Sequence, residues 1–567
     1  MQTDNVFIEQ AEYIAESDFK SWSSVHPLED DIMRKLTQSG AKLLTGPRGC
    51  GKTTLMLKAF NQLLEKRTKK VMPIYVNFKS SLKLEPIYRK KANGGFWFAQ
   101  WMYFKILDGL HKTLEKFESE SFSDQFESLI KDMLDLSISE VMSNISQLEL
   151  GEIDGVIGYD INVYKLEEII NTCLKLTNNN RSVLLLDDAA HAFSPEQQSD
   201  FFEFFRKVKS RNISPKAAIY PGVTNFSPTF HVGHDAEEVD AWVNPENEDY
   251  YAFMSGMLLK RLPKEVLKSF ERDTGLLKVL CFSAFGIPRL LLNMVRNLYE
   301  EPTSSGSEYK IKFSKANVLK QVKASNNATM GIYSSLENKL PSYQRFVNEG
   351  ARAYEEIISL IKTYNMNKPI NRKSLVIAIR GDFGPDLKRI LGFFEYSGLA
   401  SYKSKLSKGE KGVFQLYLIN IAALIDNNAI FASKNFKIED LVNAIQTRSA
   451  HEYTRTQEAH IINTRELRLS LPECKSCGTQ RLNEEAKFCH NCGAELKQAS
   501  IFEALVNNDI SDLPLTVTRI DTIKNNSNIR KIKDILFDFE HTELRNVPQV
   551  GEYWANKIYQ LAQEYIS

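Results

Sequence analysis

The chain is short of several things, and each shortage removes a class of protein. No apolar run approaches eighteen residues, about the length that spans a bilayer. The aromatic stretch Phe96-Trp97-Phe98-Ala99-Gln100-Trp101-Met102-Tyr103-Phe104 is interrupted by Gln100 and ended by Lys105, so no membrane is expected. Charge of one sign is lacking too. The 72 Lys and Arg balance 71 Asp and Glu, for a net charge of +1, and affinity for a polyanion must come from local patches. Asp4, Glu9, Glu12 and Glu16 stand where a secretory leader carries basic and then apolar residues. Cysteine is sparse over most of the length: Cys50, Cys173 and Cys281 are scattered and read as ordinary reduced thiols. A soluble, cytoplasmic protein is expected.

The 567 residues are enough for three to five domains. The richest stretch is Gly46-Pro47-Arg48-Gly49-Cys50-Gly51-Lys52-Thr53, which fits G-x-x-x-x-G-K-[ST] at every fixed position. Residues 41–44 before it read as a strand, and residues 54–60, from Thr54 onward, read as a helix. That is the setting a phosphate-binding loop needs. Glycines let successive backbone N–H groups face an anion at a helix N-terminus. Lys52 is placed to reach the β- and γ-phosphates of ATP, and Thr53 to ligate Mg²⁺. Cys50 lies inside the loop, so its alkylation is expected to block nucleotide binding sterically.

Residues 181–188 form a continuous apolar run ending in Asp187 and Asp188, the pattern of a buried parallel strand. Asp187 is placed to hold Mg²⁺ through water, and Asp188 to orient an attacking water. Residues 71–78 read as a second strand, followed by about a hundred largely helical residues. Residues 217–224 read as a further strand, with Thr224 or Asn225 at its end as a γ-phosphate sensor, since ligands sit at strand C-termini. Phe285-Gly286-Ile287-Pro288-Arg289 breaks the chain and starts a helix, leaving Arg289 able to reach back to the nucleotide.

Together the loop, the acidic strand end and the Gly-Ile-Pro-Arg segment resemble AAA+-type and STAND-type P-loop ATPases, with replication-initiator-like ATPases and bacterial STAND regulators as nearest relatives. The resemblance covers about 260 residues. It implies an often oligomeric, ATP-dependent switch, with Arg289 in the sensor-2 role or Pro288 in the Gly-x-Pro role. Asp188 stands where most AAA+ enzymes carry glutamate, which points to slow turnover. Arg206, Arg211 and Arg261 are equal candidates for an arginine finger.

The expected layout is multidomain α/β: a lead-in at 1–35, a P-loop parallel sheet with helical lid at 36–300, and helical linkers at 301–339 and 431–470. A winged-helix-like domain at 340–430 lies between those linkers. It is read as a helix over 371–379, a second over 385–394, a strand from 398, a wing over 405–412 and a return strand over 413–418. From Lys368 to Gly412 there are ten bases against four acids, a surplus that suits DNA backbone contact. Lys403, Lys405, Lys408 and Lys411 on the wing are the expected contacts; a winged helix used only for packing is the alternative.

Four cysteines fall within nineteen residues, as Cys474-x-x-Cys477 and Cys489-x-x-Cys492. Two such knuckles suit a closed, structural Zn²⁺ site, and the segment 471–497 resembles a zinc ribbon; His490 is read as a bystander. Residues 544–558, within a small all-α domain at 498–567, resemble a helix-hairpin-helix. Pro548 stands where many such hairpins carry glycine, and from Ile501 to Ser567 ten acids face seven bases. Docking to protein and contact with the DNA backbone both stay open. The whole reads as a switch ATPase assembling on DNA or a partner protein, as a homo-oligomer, in anti-phage defence, mobile-element or genome-maintenance settings. A STAND-type signalling scaffold that oligomerises without DNA is the alternative.

Overall fold

The computed structural model describes residues 6–566 apart from 67–68, 91–92, 118–119, 159, 190–193, 301–309, 434, 447–451, 468, 470–472, 475, 482–485, 487, 495, 497–500 and 539. Five short strands make the first sheet: β1 (Lys42–Thr45), β2 (Val71–Asn77), β3 (Arg181–Asp187), β4 (Ile213–Ala218) and β5 (Glu237–Asp240). Their order is β2-β3-β4-β1-β5, and every neighbouring pair is parallel. A parallel sheet covered on both faces needs apolar strands; Val183 to Leu186 of β3 are accordingly all fully buried. Parallel strands also bring their C-terminal ends to one edge. There β1 runs into the phosphate loop and β3 ends in Asp187.

The strand expected at 217–224 starts and stops earlier, at Ile213–Ala218. Pro215 lies in its middle, between β3 and β1, and a proline ordinarily argues against an interior strand. Residues 219–224 form the turn beyond the strand, so Thr224 is not a strand-end residue.

Helix Lys52–Glu65 follows the loop. Between β2 and β3 stand the long helices Gly94–Glu115, Glu120–Leu134, Ile138–Leu150 and Val163–Leu176. The aromatic stretch belongs to the first of them and is core: Trp97, Phe98, Trp101 and Phe104 are buried, with Trp101 against Phe78. Gly109 lets this helix close on β2, since a Cβ there would lie 2.6 Å from the Tyr75 carbonyl. Among the described residues no helix is long and apolar enough to cross a membrane. The lid comprises helices Tyr250–Arg261, Lys264–Arg272, Thr274–Ser283 and Pro288–Arg296.

A small hairpin of β6 (Tyr299–Glu300) and β7 (Lys310–Ile311) precedes helix Lys315–Ser334. The second sheet combines β8 (Val376–Arg380), β9 (Ala400–Ser407), β10 (Val413–Ile419) and β11 (Thr454–Thr456), in the order β11-β8-β10-β9. Two expectations are corrected here. Residues 371–379 are not a helix: Val376, Ile377 and Ile379 are β-branched, suit a strand, and pair with β10 on one side and β11 on the other. The segment 431–470 is not a helical linker either, because β11 adds a parallel strand to this sheet. The helix expected from 385 spans Pro385–Ser397. β9 runs through Lys405 to Ser407, so the wing shortens to a turn closed by Lys408 N–H donating to the Gly412 carbonyl at 3.0 Å. The lid and this domain share one continuous hydrophobic core.

The C-terminal helices, Ile501–Asn507, Val517–Asn526, Ile532–Phe537, Thr542–Arg545 and Glu552–Ile566, enclose a separate core that also takes in Leu82 of the ATPase region. Backbone hydrogen bonds from Ile510 to Arg530 and from Ile532 to Asn508, each 3.0 Å, tie residues 508–510 to residues 530–532. In the hairpin before the last helix, Gln549 has φ +64°.

Candidate functional site

The phosphate loop curls between β1 and helix Lys52–Glu65. Gly51, the residue before that helix, has φ +103° with nothing within 4 Å of a would-be Cβ, so glycine serves conformation there. Gly49 serves space as well: a Cβ would meet Ile287 Cγ2 at 3.1 Å and Arg289 Cβ at 3.3 Å. The Gly-Ile-Pro-Arg segment therefore packs on the loop itself. Lys52 is buried, and its Nζ donates to the carbonyls of Gly46 (2.7 Å) and Pro47 (3.1 Å). The same Nζ lies 3.8 Å from the centre of the Tyr220 ring. Burial lowers the Lys52 pKa, partly offset by Cys50, Asp188 and Asp187. Cys50 is only 2% exposed, and burial raises its thiol pKa. A buried thiol kept protonated reacts slowly, so Cys50 is a poor target for alkylation in this conformation.

The acid pair faces Lys52. Asp187 is buried and accepts hydrogen bonds from Tyr75 Oη (2.9 Å) and the Asp188 amide (3.0 Å), and the Thr53 hydroxyl favours its charged form. Burial first, then Asp188 and Glu12, push its pKa up. That crowding of acids around a hydroxyl suits a divalent cation. Asp188 holds φ +51°, and its Oδ1 accepts from Tyr220 Oη at 3.0 Å.

Arg48, Gly49, Cys50, Gly51, Lys52, Thr53, Thr54, Asp188 and Arg289 all line one cavity of about 130 Å³. Its other walls come from distant parts of the chain. The lead-in gives Glu9, Gln10, Glu12, Trp22 and His26, the lid gives Met257 and Arg261, and the last helix gives Glu564. His26 Nδ1 accepts from the Leu28 amide at 3.0 Å, which leaves Nε2 to donate to the Ala241 carbonyl at 3.2 Å. Arg261 donates to the Ile8 carbonyl at 2.9 Å. It is thus a wall of its own chain's cavity, while Arg206 pairs with Glu203 on the surface.

Thr224 is not brought into this group. Its Oγ1 donates to the Tyr220 carbonyl (2.7 Å) and accepts from the Tyr220 amide (3.0 Å), and it lines a separate cavity of about 510 Å³. The turn it closes instead presents Tyr220, which the sequence reading missed. A polar aromatic just beyond a parallel strand was the available signal.

Arg289 lies in the cavity wall with Nη1 3.5 Å from Glu564 Oε2 and Nε 4.0 Å from Glu9 Oε2. Among the described residues its buried Nε makes no hydrogen bond. Arg48 Nη2 donates to the Glu564 carbonyl at 3.0 Å. Burial would raise the Glu564 pKa, but Arg289, Arg48, Lys79 and Lys557 outweigh it and hold the group at about 2. Glu9, with its side chain 7% exposed, also pairs with Arg296 (2.9 Å) and Lys557 (3.1 Å). Glu9, Glu12 and Glu564 carry no local signal as site residues, since their partners are distant in sequence, from Asn77 beside Glu12 to Arg289 beside Glu564.

The winged-helix-like domain touches the loop directly. The Arg48 amide donates to the Tyr396 carbonyl at 3.1 Å, and the rings of Tyr220 and Tyr396 meet edge-on at 5.6 Å. Gly392 of helix Pro385–Ser397 faces Gly222 so closely that a Cβ on Gly392 would lie 2.6 Å from the Gly222 Cα. Of the wing lysines, Lys403 pairs with Glu246 at 2.6 Å and Lys405 with Asp382 at 3.6 Å. Lys408 lies 6.0 Å from the Tyr453 ring centre. The Lys411 side chain falls outside the described residues.

The four C-terminal cysteines converge. All four Sγ atoms lie within 4.8 Å of one another, with Cys474–Cys492 at 3.5 Å and Cys477–Cys489 at 3.6 Å. A tetrahedron of sulfurs at 2.3 Å from zinc has edges of about 3.8 Å. The two knuckles repeat one hydrogen-bonding pattern: Gly478 to Cys474 at 2.7 Å and Gly493 to Cys489 at 2.9 Å, both glycines at φ +69°.

No curated protein matches the chain. Among solved structures, a Walker-type ATPase of Pyrococcus abyssi is similar at 13% identity, over 70% of this chain and 94% of its own, with a TM-score of 0.36. The ORC1 protein of Aeropyrum pernix, solved in complex with DNA, is similar at 14% identity over 72% and 93%, with a TM-score of 0.28. A STAND protein of Pyrococcus horikoshii with a tetratricopeptide repeat sensor is similar at 12% identity over 74% and 44%, with a TM-score of 0.23. Likeness at these levels does not extend to function. A family model described as ORC-CDC6-like matches residues 8–384, from the lead-in through β8, and the chain belongs to the ORC-CDC6-like family.

Proposed function

We propose that the chain is an ATP-binding, slowly hydrolysing switch whose nucleotide state is read by the modules packed on its phosphate loop. The observation that carries this reading is the convergence of Arg48, Lys52, Thr53, Asp188 and Arg289 around one cavity, with Asp187 bonded to the amide of Asp188. The site fits a nucleotide: among the described residues Arg289 Nε is a buried donor with no hydrogen bond, 4.0 Å from Glu9 Oε2, and the helix opening at Lys52 offers an N-terminus to an anion. Thr53 and Asp187 would hold Mg²⁺, which supplies charge neutralisation for phosphoryl transfer. Lys52 and Arg289 would neutralise the phosphates, and Asp188 would orient a water. The base and ribose would face the wall of Trp22, His26 and Met257.

Slow turnover has structural support. Lys52 rests on two loop carbonyls, and the Asp188 carboxylate is engaged by Tyr220 Oη. Both contacts must rearrange before chemistry. Titration calorimetry with ATP·Mg against a Lys52→Ala variant tests the reading: heat from the parent and none from the variant supports it, and no heat from either removes it. The knuckle cysteines fit Zn²⁺ in a closed site with a structural role, which metal analysis of the purified protein checks.

A second reading is favoured by one observation. The helix Pro385–Ser397 packs on the phosphate loop, and Lys403 is engaged by Glu246. This is the behaviour of a winged helix used for packing in a scaffold that oligomerises without DNA. Filter binding of duplex DNA across a salt series, with and without ATP, separates the two. DNA contact through Lys405 and Lys408 gives an affinity that falls steeply with salt; a flat response leaves the scaffold.

A further inference from the structure

The contact between the last helix and the nucleotide cavity is not explained by packing alone. Helix Glu552–Ile566 places a carboxylate, Glu564, among the cations that the phosphate loop and the Gly-Ile-Pro-Arg segment present. Arg289 Nη1 pairs with its Oε2 at 3.5 Å, Arg48 Nη2 bonds its carbonyl at 3.0 Å, and Gln10 bonds its Oε1. Lys557, two turns earlier, pairs with Glu9 of the cavity wall at 3.1 Å. With this helix in place the cavity measures about 130 Å³, well below the ~300–1,000 Å³ usual for ligand pockets. The module is also held at a remote point. The buried Glu85 carboxylate accepts the amides of Ile501 and Phe502, both at 3.0 Å, at the start of helix Ile501–Asn507.

We infer that Glu564 is a phosphate-mimicking latch: its carboxylate and the nucleotide's phosphates compete for Arg289, while its main-chain carbonyl holds Arg48, so that binding ATP releases the last helix and its module from the ATPase. This rests on the nucleotide reading above and adds its regulation. An anion seated on guanidiniums in a water-poor site is exchanged for another anion at small cost, whereas two anions side by side there repel each other. Linkage makes the effect reciprocal, so whatever loosens the latch tightens nucleotide binding by the same factor. The surface that release uncovers comprises the face of helix Glu552–Ile566 that carries Lys557 and Glu564.

The test is calorimetric titration of the full chain with ATP·Mg, in the parent, Glu564→Gln, Glu85→Gln and Lys52→Ala, joined to hydrogen exchange over residues 552–566. Glu564→Gln keeps the carbonyl that bonds Arg48 and removes the competing charge. The latch predicts affinity tightened by about tenfold, within the usual range of coupling between sites. Glu85→Gln lies away from the cavity, loosens only the remote hold, and is expected to tighten binding in the same direction. ATP·Mg is expected to speed exchange over residues 552–566 in the parent and not in Lys52→Ala. Parent binding with unchanged or weaker affinity in both glutamine variants, or exchange over 552–566 that ATP slows, overturns the latch and leaves the nucleotide reading standing. Absence of binding in the parent overturns both.

Discussion

Two sites in this chain are built in opposite ways. The cysteine site draws all its ligands from two knuckles of the same local design, each closed by its own glycine turn and amide hydrogen bonds. The nucleotide cavity draws its floor from the phosphate loop and its walls from the lead-in, the lid and the last helix. The winged-helix-like domain is bonded to the back of the loop at Arg48. A local site holds a small piece of chain together and can be lost without consequence elsewhere. A composite site couples its occupancy to the regions that contribute to it, and this is the physical basis of the proposed switch.

The largest effect expected concerns the local site. Stripping the proposed zinc with a chelator, or replacing Cys474 and Cys492 with Ser, should unfold the knuckles, because structural zinc supplies on the order of 10 kcal/mol to such a segment. Nucleotide affinity should stay within about twofold, less than ~0.5 kcal/mol; a larger change would show that the two sites communicate. Next in size is Lys52→Ala, which removes a buried cation from the loop. It should weaken ATP·Mg binding by about a hundredfold, the value of one or two charge-assisted hydrogen bonds, while metal content at the cysteines stays constant.

Third, Gly392→Ala forces a methyl onto the Gly222 backbone. Overpacking of this kind costs about 1–3 kcal/mol, and the melting temperature should fall by about 2–4 °C per kcal/mol. Nucleotide affinity should shift with it, since Arg48 is held from the same helix. Unchanged affinity would show that the winged-helix-like domain is a passenger.

The smallest effect is a pH dependence at that interface. Burial pushes the Glu395 carboxyl up to about 7, with Asp240 adding to the shift and the Tyr402 amide opposing it. Between the ordinary value of 4.5 and about 7 the folded state binds more protons than the unfolded state. Stability from this group is therefore full below 4.5 and declines as pH rises to about 7. Glu395→Gln should raise the melting temperature by a few degrees, roughly 1 kcal/mol, at pH 8. The gain should vanish near pH 5. A gain independent of pH would assign it to packing instead of ionisation.

What was legible in the sequence follows the same division. The knuckles, the phosphate loop and the acidic end of β3 are contiguous motifs, and their backbone shape follows from residues a few positions apart. Pro215 masks the start of strand β4, and the β-branched run of β8 is too short, following Asn371 and Arg372, to separate a strand from a helix. Thr224 was chosen for its chemistry, but its hydroxyl is consumed by the turn that presents Tyr220. Glu9, Glu12 and Glu564 carry no local signature at all. Their meaning comes from cations brought beside them by tertiary docking, Arg289 across 275 positions in the case of Glu564. Composite walls are written in pairs of distant residues, and one sequence does not display such pairs.

The central claim, that ATP occupies this composite cavity and that its arrival is felt by the modules forming the walls, is tested most directly by hydrogen exchange across the whole chain with and without ATP·Mg. The account predicts slowed exchange over residues 46–55, faster exchange over residues 552–566, and no change around Cys474–Cys492. Slowed exchange confined to regions that do not line the cavity, with residues 46–55 unaffected, would contradict it.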